Sequence, residues 1–224
     1  MKNIVITGAA GALGTAAIDA LNTPKNNVIA LDAAKARPAS LPEDVKYLGG
    51  YDLTDMEATK KAAAAIHDKF KTVDALVHIA GTFAWEEIKD GSPATWQRMY
   101  DINLMTALNT TQALLPSFAD GGSVVYIGAA AAMPAVRGMG AYAASKAAVR
   151  ALTESLADEL SGQKIRVNAV LPRIIDTPKN RADMPDADYS EWTTPEAISD
   201  VIAFLTSSKA RCISGASIPV TFSA

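Results

Sequence analysis

The sequence predicts an α/β fold: a single Rossmann-like doubly wound domain over residues 1–224, with a mostly parallel seven-stranded sheet and helices on both faces. Three observations lead to this prediction. Short apolar runs alternate with helix-like stretches along the whole chain. A glycine-rich turn stands between the first predicted strand and the first predicted helix. The 224 residues, 49% of them hydrophobic and 20% charged, suffice for one sizeable core, and no linker or internal repeat divides them.

The apolar runs and their boundary signals give the order of the elements. Seven strands are predicted, at residues 3–7, 27–31, 45–48, 73–79, 122–127, 165–171 and 216–221. A capping box that begins at Thr54 predicts a helix running to about Phe70. Ser92 and Pro93 supply a cap and a first-turn proline for the next helix. Residues 173–193 are predicted to be a long surface loop with a functional role such as a lid.

Charge and composition limit the partners. The net charge of −3 and the absence of any Lys/Arg run argue against a nucleic-acid partner. Cys212 is the single cysteine, which excludes an internal disulfide and favours a reducing compartment. No apolar run approaches membrane-spanning length, and the start of the sequence does not resemble a signal peptide. We therefore expect a cytoplasmic protein that has a small-molecule substrate, no membrane partner and no metal site.

The first glycine-rich turn reads T-G-A-A-G-A-L-G from Thr7 to Gly14. Glycines let a backbone approach a pyrophosphate closely, and a helix amino terminus attracts its charge. The alternative is a tight strand–helix turn without a ligand. Because the turn lies between a strand and a helix, we favour nucleotide binding. The candidate contacts are Gly8, Gly11, Ala12, Leu13 and Gly14.

Two acidic residues follow predicted strands where a dinucleotide would lie. Asp32 ends the second strand, 18 residues after Gly14, and can accept hydrogen bonds from a ribose 2′-hydroxyl. Because a carboxylate repels a 2′-phosphate, NAD(H) is favoured, while NADP(H) remains possible. Lys35 and Arg37 could weaken this preference, although we interpret them as ordinary loop charges. Asp52 is a candidate for the adenine edge and equally a simple turn residue.

Tyr142 and Lys146 are four residues apart in an alanine-rich helical pattern, so their side chains share one face. A nearby ammonium stabilises a phenolate, which predicts a tyrosine whose pKa is shifted toward neutrality for acid–base chemistry. The alternative is a surface pair that shares a face by chance. Asn103 lies in the middle of another predicted helix, where asparagine usually costs stability and therefore needs a reason. His78 is interpreted as a packed strand histidine and His67 as a solvated one.

Together these landmarks resemble the short-chain dehydrogenase/reductase family over nearly the whole chain. The matching features are the turn from Thr7 to Gly14, Asp52-Leu53-Thr54-Asp55, Ala80-Gly81, Asn103, Tyr142-Ala143-Ala144-Ser145-Lys146, and Pro172 followed by Thr177. The resemblance implies that Tyr142 is the general acid/base, that Lys146 binds the nicotinamide ribose, and that Asn103 positions a water behind Lys146. It also implies cofactor contacts at Asp52, Leu53, Ala80, Gly81, Tyr142, Lys146, Pro172, Ile175 and Thr177.

Three positions depart from the family pattern. The middle glycine of the first turn stands at Gly11, where the family would have it at Ala12. His78 replaces the first asparagine of an N-N-A-G motif, which puts a structural tie at that turn in doubt. The catalytic serine is missing, because the position thirteen residues before Tyr142 is Ala129. Loss of such a donor would slow a ketone reductase by ~10²–10³.

The branch that this chain resembles most is that of the dihydropteridine reductases, which also have alanine at that position. Phe83, two residues after Gly81, stands where those enzymes have an aromatic residue near the pterin, and Trp85 is close by. The predicted substrate contacts are Phe83, Ala129 and Tyr142, and the predicted substrate is a quinonoid dihydropterin. Core or loop packing is the alternative interpretation of the two aromatic residues.

Two other functions remain open. One is a generic carbonyl or alcohol oxidoreductase, such as a ketoacyl or ketone reductase, that lacks the usual serine. The other is a non-catalytic dinucleotide-binding sensor, although a sensor has no use for a paired phenol and ammonium. The resemblance further implies a homodimer or homotetramer formed through the helices at residues 103–115 and 142–160.

Overall fold

The computed structural model describes residues 1–132 and 134–222. Seven parallel strands form one sheet in the order β3-β2-β1-β4-β5-β6-β7. The strands are β1 (Lys2–Thr7), β2 (Asn26–Asp32), β3 (Lys46–Gly49), β4 (Val73–His78), β5 (Phe118–Ile127), β6 (Arg166–Pro172) and β7 (Ser217–Val220). The predicted α/β architecture is thus confirmed, and the described sheet is wholly parallel.

Helices cover both faces of the sheet. They are α1 (Ala12–Leu21), α2 (Met56–Phe70), α3 (Pro93–Tyr100), α4 (Thr106–Leu114), α5 (Gly140–Glu159), α6 (Pro178–Asp183) and α7 (Pro195–Thr206). Successive strand side chains point to opposite faces, so Val5 packs in one core with α2, α4 and α5. Its neighbours Ile4 and Ile6 pack in the other core with α1 and α7. Burial on both faces explains why the strands read as continuous apolar runs.

The strand order places the functional end of the molecule. β1 pairs with β2 on one side and with β4 on the other, so the chain winds away from β1 in both directions. Loops leaving the carboxyl ends of β1 and β4 therefore diverge and leave a crevice between them. That crevice receives the glycine-rich turn after Thr7 and the Ala80-Gly81 turn after β4.

Local structure differs from the sequence prediction at three places. The N-cap of α2 is Asp55, whose side chain accepts from the Glu57 backbone N–H at 2.8 Å, so the predicted Thr54 cap is wrong. Thr54 instead donates its hydroxyl to Asp52. The predicted loop at 173–193 contains α6 and a 3₁₀ turn at Tyr189–Glu191. A π-helical turn, Asp101–Met105, separates α3 from α4.

Candidate active site

A cleft of about 1270 Å³ opens at the carboxyl edge of the sheet. Most of the predicted nucleotide contacts line it: Gly8, Gly11, Ala12, Leu13, Gly14, Asp32, Asp52, Leu53, Ala80, Gly81 and Thr177. Four predicted contacts are described but are not among the lining residues: Tyr142, Lys146, Pro172 and Ile175. Pro172 lies in β6, and Ile175 packs against the core that α1 and α7 also cover. The cleft thus brings together predicted contacts from five separate segments of the chain.

Close packing explains two of the three glycines in the first turn. Gly8 has a φ of +64°, and a Cβ there would lie 2.8 Å from the Ala80 backbone nitrogen. A Cβ at Gly14 would lie 2.2 Å from the Gly8 carbonyl oxygen, so α1 packs directly on the turn. Gly11 is different, because the nearest atom to its Cβ would be 3.4 Å away. The shifted glycine therefore leaves the turn intact, with the amino end of α1 facing the cleft.

The Asp32 carboxylate is fixed at one side of the cleft. It accepts from the backbone N–H groups of Ala10 and Ala34, each at 2.9 Å, which joins the end of β2 to the glycine turn. Arg37 is turned away, because its guanidinium donates to the backbone oxygens of Leu41, Pro42 and Val45. The interpretation of Arg37 as a loop charge agrees with these bonds.

The side of the cleft expected to hold the adenine is built on a turn and on α4. Asp52 accepts from both the backbone N–H and the hydroxyl of Thr54, at 2.9 and 2.7 Å. The buried Asn109 side chain donates to the carbonyl oxygens of Leu53 and Thr54, at 3.0 and 3.2 Å. Asp52 is therefore both a turn residue and part of the cleft wall.

Tyr142 and Lys146 lie in the first two turns of α5, behind the Gly81 side of the cleft. A Cβ at Gly81 would lie 3.3 Å from Lys146 Nζ. The ammonium donates to the Ile127 carbonyl oxygen at 2.8 Å. Burial lowers the pKa of Lys146 to about 8 and raises the pKa of Tyr142 to about 12. The predicted shift of the tyrosine toward neutrality is therefore wrong in this structure, because desolvation dominates, and the phenol holds its proton at neutral pH.

Asn103 lies in the π-helical turn and is almost fully buried, with 1% of its surface exposed. Its Oδ1 accepts from the Thr82 backbone N–H at 2.8 Å, and its Nδ2 donates to Ser145 Oγ at 2.9 Å. Ser145 in turn donates to the Tyr142 carbonyl oxygen at 2.7 Å. These bonds tie the β4 loop to α5, which gives the mid-helix asparagine its reason. Its water-positioning role stays a prediction.

His78 ends β4 and is buried between two threonines. Its Nδ1 lies 3.0 Å from Thr7 Oγ1, and its Nε2 lies 3.0 Å from Thr106 Oγ1. Burial, with a smaller effect of the Lys146 charge, lowers the pKa of His78 to about 3. The structural tie that the sequence left in doubt is present, and His78 is a packed strand histidine as predicted.

The predicted substrate residues border Tyr142. The Phe83 ring meets the Tyr142 ring edge-to-face, with centroids 5.0 Å apart and planes at 81°. Phe83 is 51% exposed. Ala129 packs in a small cluster with Ala132 and Ala143 against Tyr142, and it also lines a separate cavity of about 380 Å³ beside β7. Trp85 is half-exposed and packs on Gly138, where a Cβ would lie 2.2 Å from the indole ring.

Part of the segment at 173–193 borders the cleft. Thr177 caps α6 by accepting from the Asn180 backbone N–H at 3.1 Å. Asp176 and Arg181 form a bidentate ion pair at 2.6 and 2.7 Å. Thr177, Pro178 and Lys179 line the cleft, so this segment has the position expected of a lid.

Sequence reasoning missed several residues of this site. Lys179 and Arg98 line the cleft, and Ser145, Thr106 and Asn109 hold its loops in place. One signal was available: Asn103, Thr106 and Asn109 recur every third residue, which places polar groups along one side of a helix. Burial of that side was visible only in the structure.

Within residues 1–132 and 134–222, no group of three or more His, Cys, Asp or Glu side chains could hold a metal ion. Within the same residues, no helix is long and apolar enough to cross a membrane.

Comparison with known proteins identifies the family. The short chain dehydrogenase family model matches residues 2–188, so the chain belongs to this family of oxidoreductases. It is 29% identical over 235 residues to the trans-4-hydroxycyclohexanecarboxylate dehydrogenase of Sinomonas cyclohexanicum, covering 98% of this chain and 91% of that protein. It is also 29% identical over 231 residues to the 3-oxoacyl-acyl-carrier-protein reductase of Thermotoga maritima, covering 96% and 94%.

Solved structures agree with this assignment. The crystal structure of carveol dehydrogenase from Mycobacterium avium in complex with NAD matches with a TM-score of 0.83 at 27% identity, over 98% of this chain and 95% of that chain. The chain is therefore a short-chain dehydrogenase/reductase enzyme. The names of these relatives do not single out the dihydropteridine reductase branch.

The packing of the glycine turn predicts unequal effects of two matched substitutions. Gly14→Ala should destabilise the protein by about 1–3 kcal/mol or more, because the new methyl group has no space beside the Gly8 carbonyl. Gly11→Ala should leave the free energy of unfolding close to that of the wild type. Urea unfolding of both variants measures the difference. Equal stabilities would contradict the packing argument.

Proposed function

We propose that this enzyme is an NADH-dependent reductase of a flat conjugated substrate, with quinonoid dihydropterin as the preferred candidate. The observation that carries the proposal is the setting of Tyr142, a protonated phenol beside an exposed aromatic ring, with a methyl group where the family places its serine. Such a site offers one proton donor and a flat apolar wall. It offers no serine hydroxyl for an oxyanion.

The residues of the cleft fit a dinucleotide. Gly8 and Gly14 keep the turn free of side-chain atoms, and α1 directs its amino end at the position of a pyrophosphate. The Asp32 carboxylate supports NADH over NADPH, because it favours a 2′-hydroxyl and repels a 2′-phosphate. NADH supplies the hydride when it is bound.

Tyr142 then acts as the general acid. The phenol is protonated at neutral pH and can donate to a substrate nitrogen during reduction. Because burial raises its pKa, donation depends on groups that stabilise the phenolate. Lys146 is cationic below its pKa of about 8, and its charge stabilises the phenolate that donation leaves behind. Asn103 and Ser145 hold the backbone of this turn of α5.

The missing serine is compatible with the pterin chemistry. Hydride addition to a quinonoid dihydropterin spreads charge over a ring, and protonation of nitrogen quenches it. One acid is sufficient for that step, and Phe83 supplies a surface on which a flat ring can pack. An oxyanion donor at Ala129 has no role in this reaction.

A carbonyl or alcohol oxidoreductase is the second candidate. It is favoured by the names of relatives, which include a 3-oxoacyl reductase and a hydroxycyclohexanecarboxylate dehydrogenase. A backbone amide or a water would then have to replace the serine hydroxyl. A non-catalytic sensor fits less well, because Tyr142, Lys146 and Asn103 are all retained. Assembly as a homodimer or homotetramer and a cytoplasmic location stay predictions.

Cofactor preference should follow Asp32. The wild type should bind NADH more tightly than NADPH, and Asp32→Asn should narrow that difference, because it removes the repulsion of a 2′-phosphate. Asp52→Asn is a matched change at another wall of the cleft, and it should leave the ratio of NADH affinity to NADPH affinity unchanged. Fluorescence titration gives both affinities. Equal or tighter NADPH binding by the wild type would refute the preference.

Tyr142→Phe should lower turnover by ~10²–10⁴ while leaving NADH affinity nearly intact, because only the proton donor is lost. Tyr100→Phe, the same chemical change at an exposed position of α3, is the control.

Lys146→Ala should weaken both turnover and NADH binding. In the wild type, binding should weaken as the pH rises through about 8, where Lys146 loses its charge.

Those rates and affinities come from steady-state kinetics and nucleotide titration at several pH values. Wild-type turnover in Tyr142→Phe would exclude the acid role. A pH dependence that persists in Lys146→Ala would assign it to another group.

Ala129→Ser separates the two candidate substrates. If the substrate is a quinonoid dihydropterin, the new hydroxyl meets no oxyanion and narrows the site, so turnover should stay level or fall. If the substrate is a ketone, turnover should rise by up to ~10²–10³. Ala132→Ser adds the same hydroxyl elsewhere in the cluster and is the control. A large gain on ketones, with no wild-type activity on the pterin, would leave the carbonyl reductase as the function.

A further inference from the structure

The hydrogen bonds around His78 assign one donor and one acceptor to its two ring nitrogens. Thr7 Oγ1 accepts from the backbone N–H groups of Ile79 and Ala80, at 3.1 and 3.2 Å, so its own hydrogen is free to point at His78 Nδ1. At the other end, Thr106 Oγ1 donates to the Ile102 carbonyl oxygen at 2.6 Å. Thr106 must therefore accept from His78 Nε2, which makes the imidazole a neutral Nε2–H tautomer.

This chain of bonds links the two halves of the site. Thr7 is the last residue of β1 and leads into the glycine turn, and Ile79 and Ala80 begin the turn after β4. Thr106 is the first residue of α4, and Ile102 belongs to the π-helical turn that carries Asn103. Without the imidazole, this series of hydrogen bonds would no longer connect Thr7 of β1 to Thr106 of α4, although Thr111 and Tyr126 would still join α4 to β5.

We propose that His78 is a positioning residue, which as a neutral imidazole sets the distance between the glycine turn and the π-helical turn bearing Asn103. It is not a base, because both ring nitrogens are occupied and the ring is buried, with 3% of the residue exposed. A shift of the π-helical turn would move Asn103 away from Ser145 and Thr82, and with it the backbone at Tyr142. The kinetic part of this inference rests on the proposed role of Tyr142.

The tautomer can be read directly, because the chain has only two histidines. Nitrogen-15 NMR of the unliganded protein should show His78 protonated at Nε2 alone between about pH 5 and 8. The groups that face the His78 ring are Lys146, Tyr126, Thr7 and Thr106, and neither of the two titratable ones is an anion at neutral pH. An Nδ1–H tautomer, or protonation of both ring nitrogens of His78 within that pH range, would overturn the proposal.

Substitutions then test the positioning role. His78→Leu removes both bonds, and His78→Gln keeps an amide that can donate and accept. We expect kcat to fall by ~10–10² in the leucine variant with a much smaller change in KM, because misplacement acts on the chemical step. His78→Gln should recover part of the loss. The control is His67→Leu, at an exposed site where the ring lies 3.0 Å from Ser117 Oγ, which should match the wild type.

A second readout does not depend on any substrate. Exchange of the Asn103 side-chain amide hydrogens should be faster in His78→Leu than in the wild type and in His67→Leu. Wild-type protection in a folded His78→Leu protein would overturn the proposal, as would a lower melting temperature with unchanged kcat. If the wild type reduces none of the substrates tested, the proposed function fails, and the amide exchange still decides the role of His78.

Discussion

The site depends on buried polar groups that must find partners inside the protein. Asn103, Thr106 and Asn109 lie along one side of the helical segment that crosses the sheet, and all three are at least 95% buried. Burying an unpaired amide or hydroxyl would lower the stability of the fold, so each of these side chains has a hydrogen-bond partner. Asn103 holds the turn after β4, Thr106 holds His78, and Asn109 holds the turn after β3. Polar side chains on one side of this helical segment thereby position the turns after β3 and β4.

Burial also decides the electrostatics. Removing the tyrosine, the lysine and the histidine from water favours their neutral forms, which raises the pKa of Tyr142 and lowers the pKa values of Lys146 and His78. The result is a phenol that holds its proton and an imidazole that carries no charge near the ammonium. The neutral imidazole also avoids a repulsion, because a charged His78 would repel Lys146.

The fold and the main residues of the site could be predicted from the sequence, because both depend on local sequence patterns. Apolar periodicity predicted the seven strands, and the motifs placed the glycine turn, Asp32 and the Tyr142–Lys146 pair. The π-helical turn was not predicted, and the partners of its Asn103 are distant in sequence, so helical spacing could not reveal them. The pKa of Tyr142 was predicted in the wrong direction, because helical spacing reveals a nearby cation but does not reveal the depth of burial.

We propose that a flat conjugated substrate receives hydride from NADH and a proton from Tyr142 in this enzyme. The most direct test of this proposal is steady-state oxidation of NADH by the wild-type protein, with quinonoid dihydropterin measured against a panel of ketones. The account predicts rapid oxidation with the pterin and slow oxidation with the ketones. Rapid oxidation with a ketone and none with the pterin would contradict it.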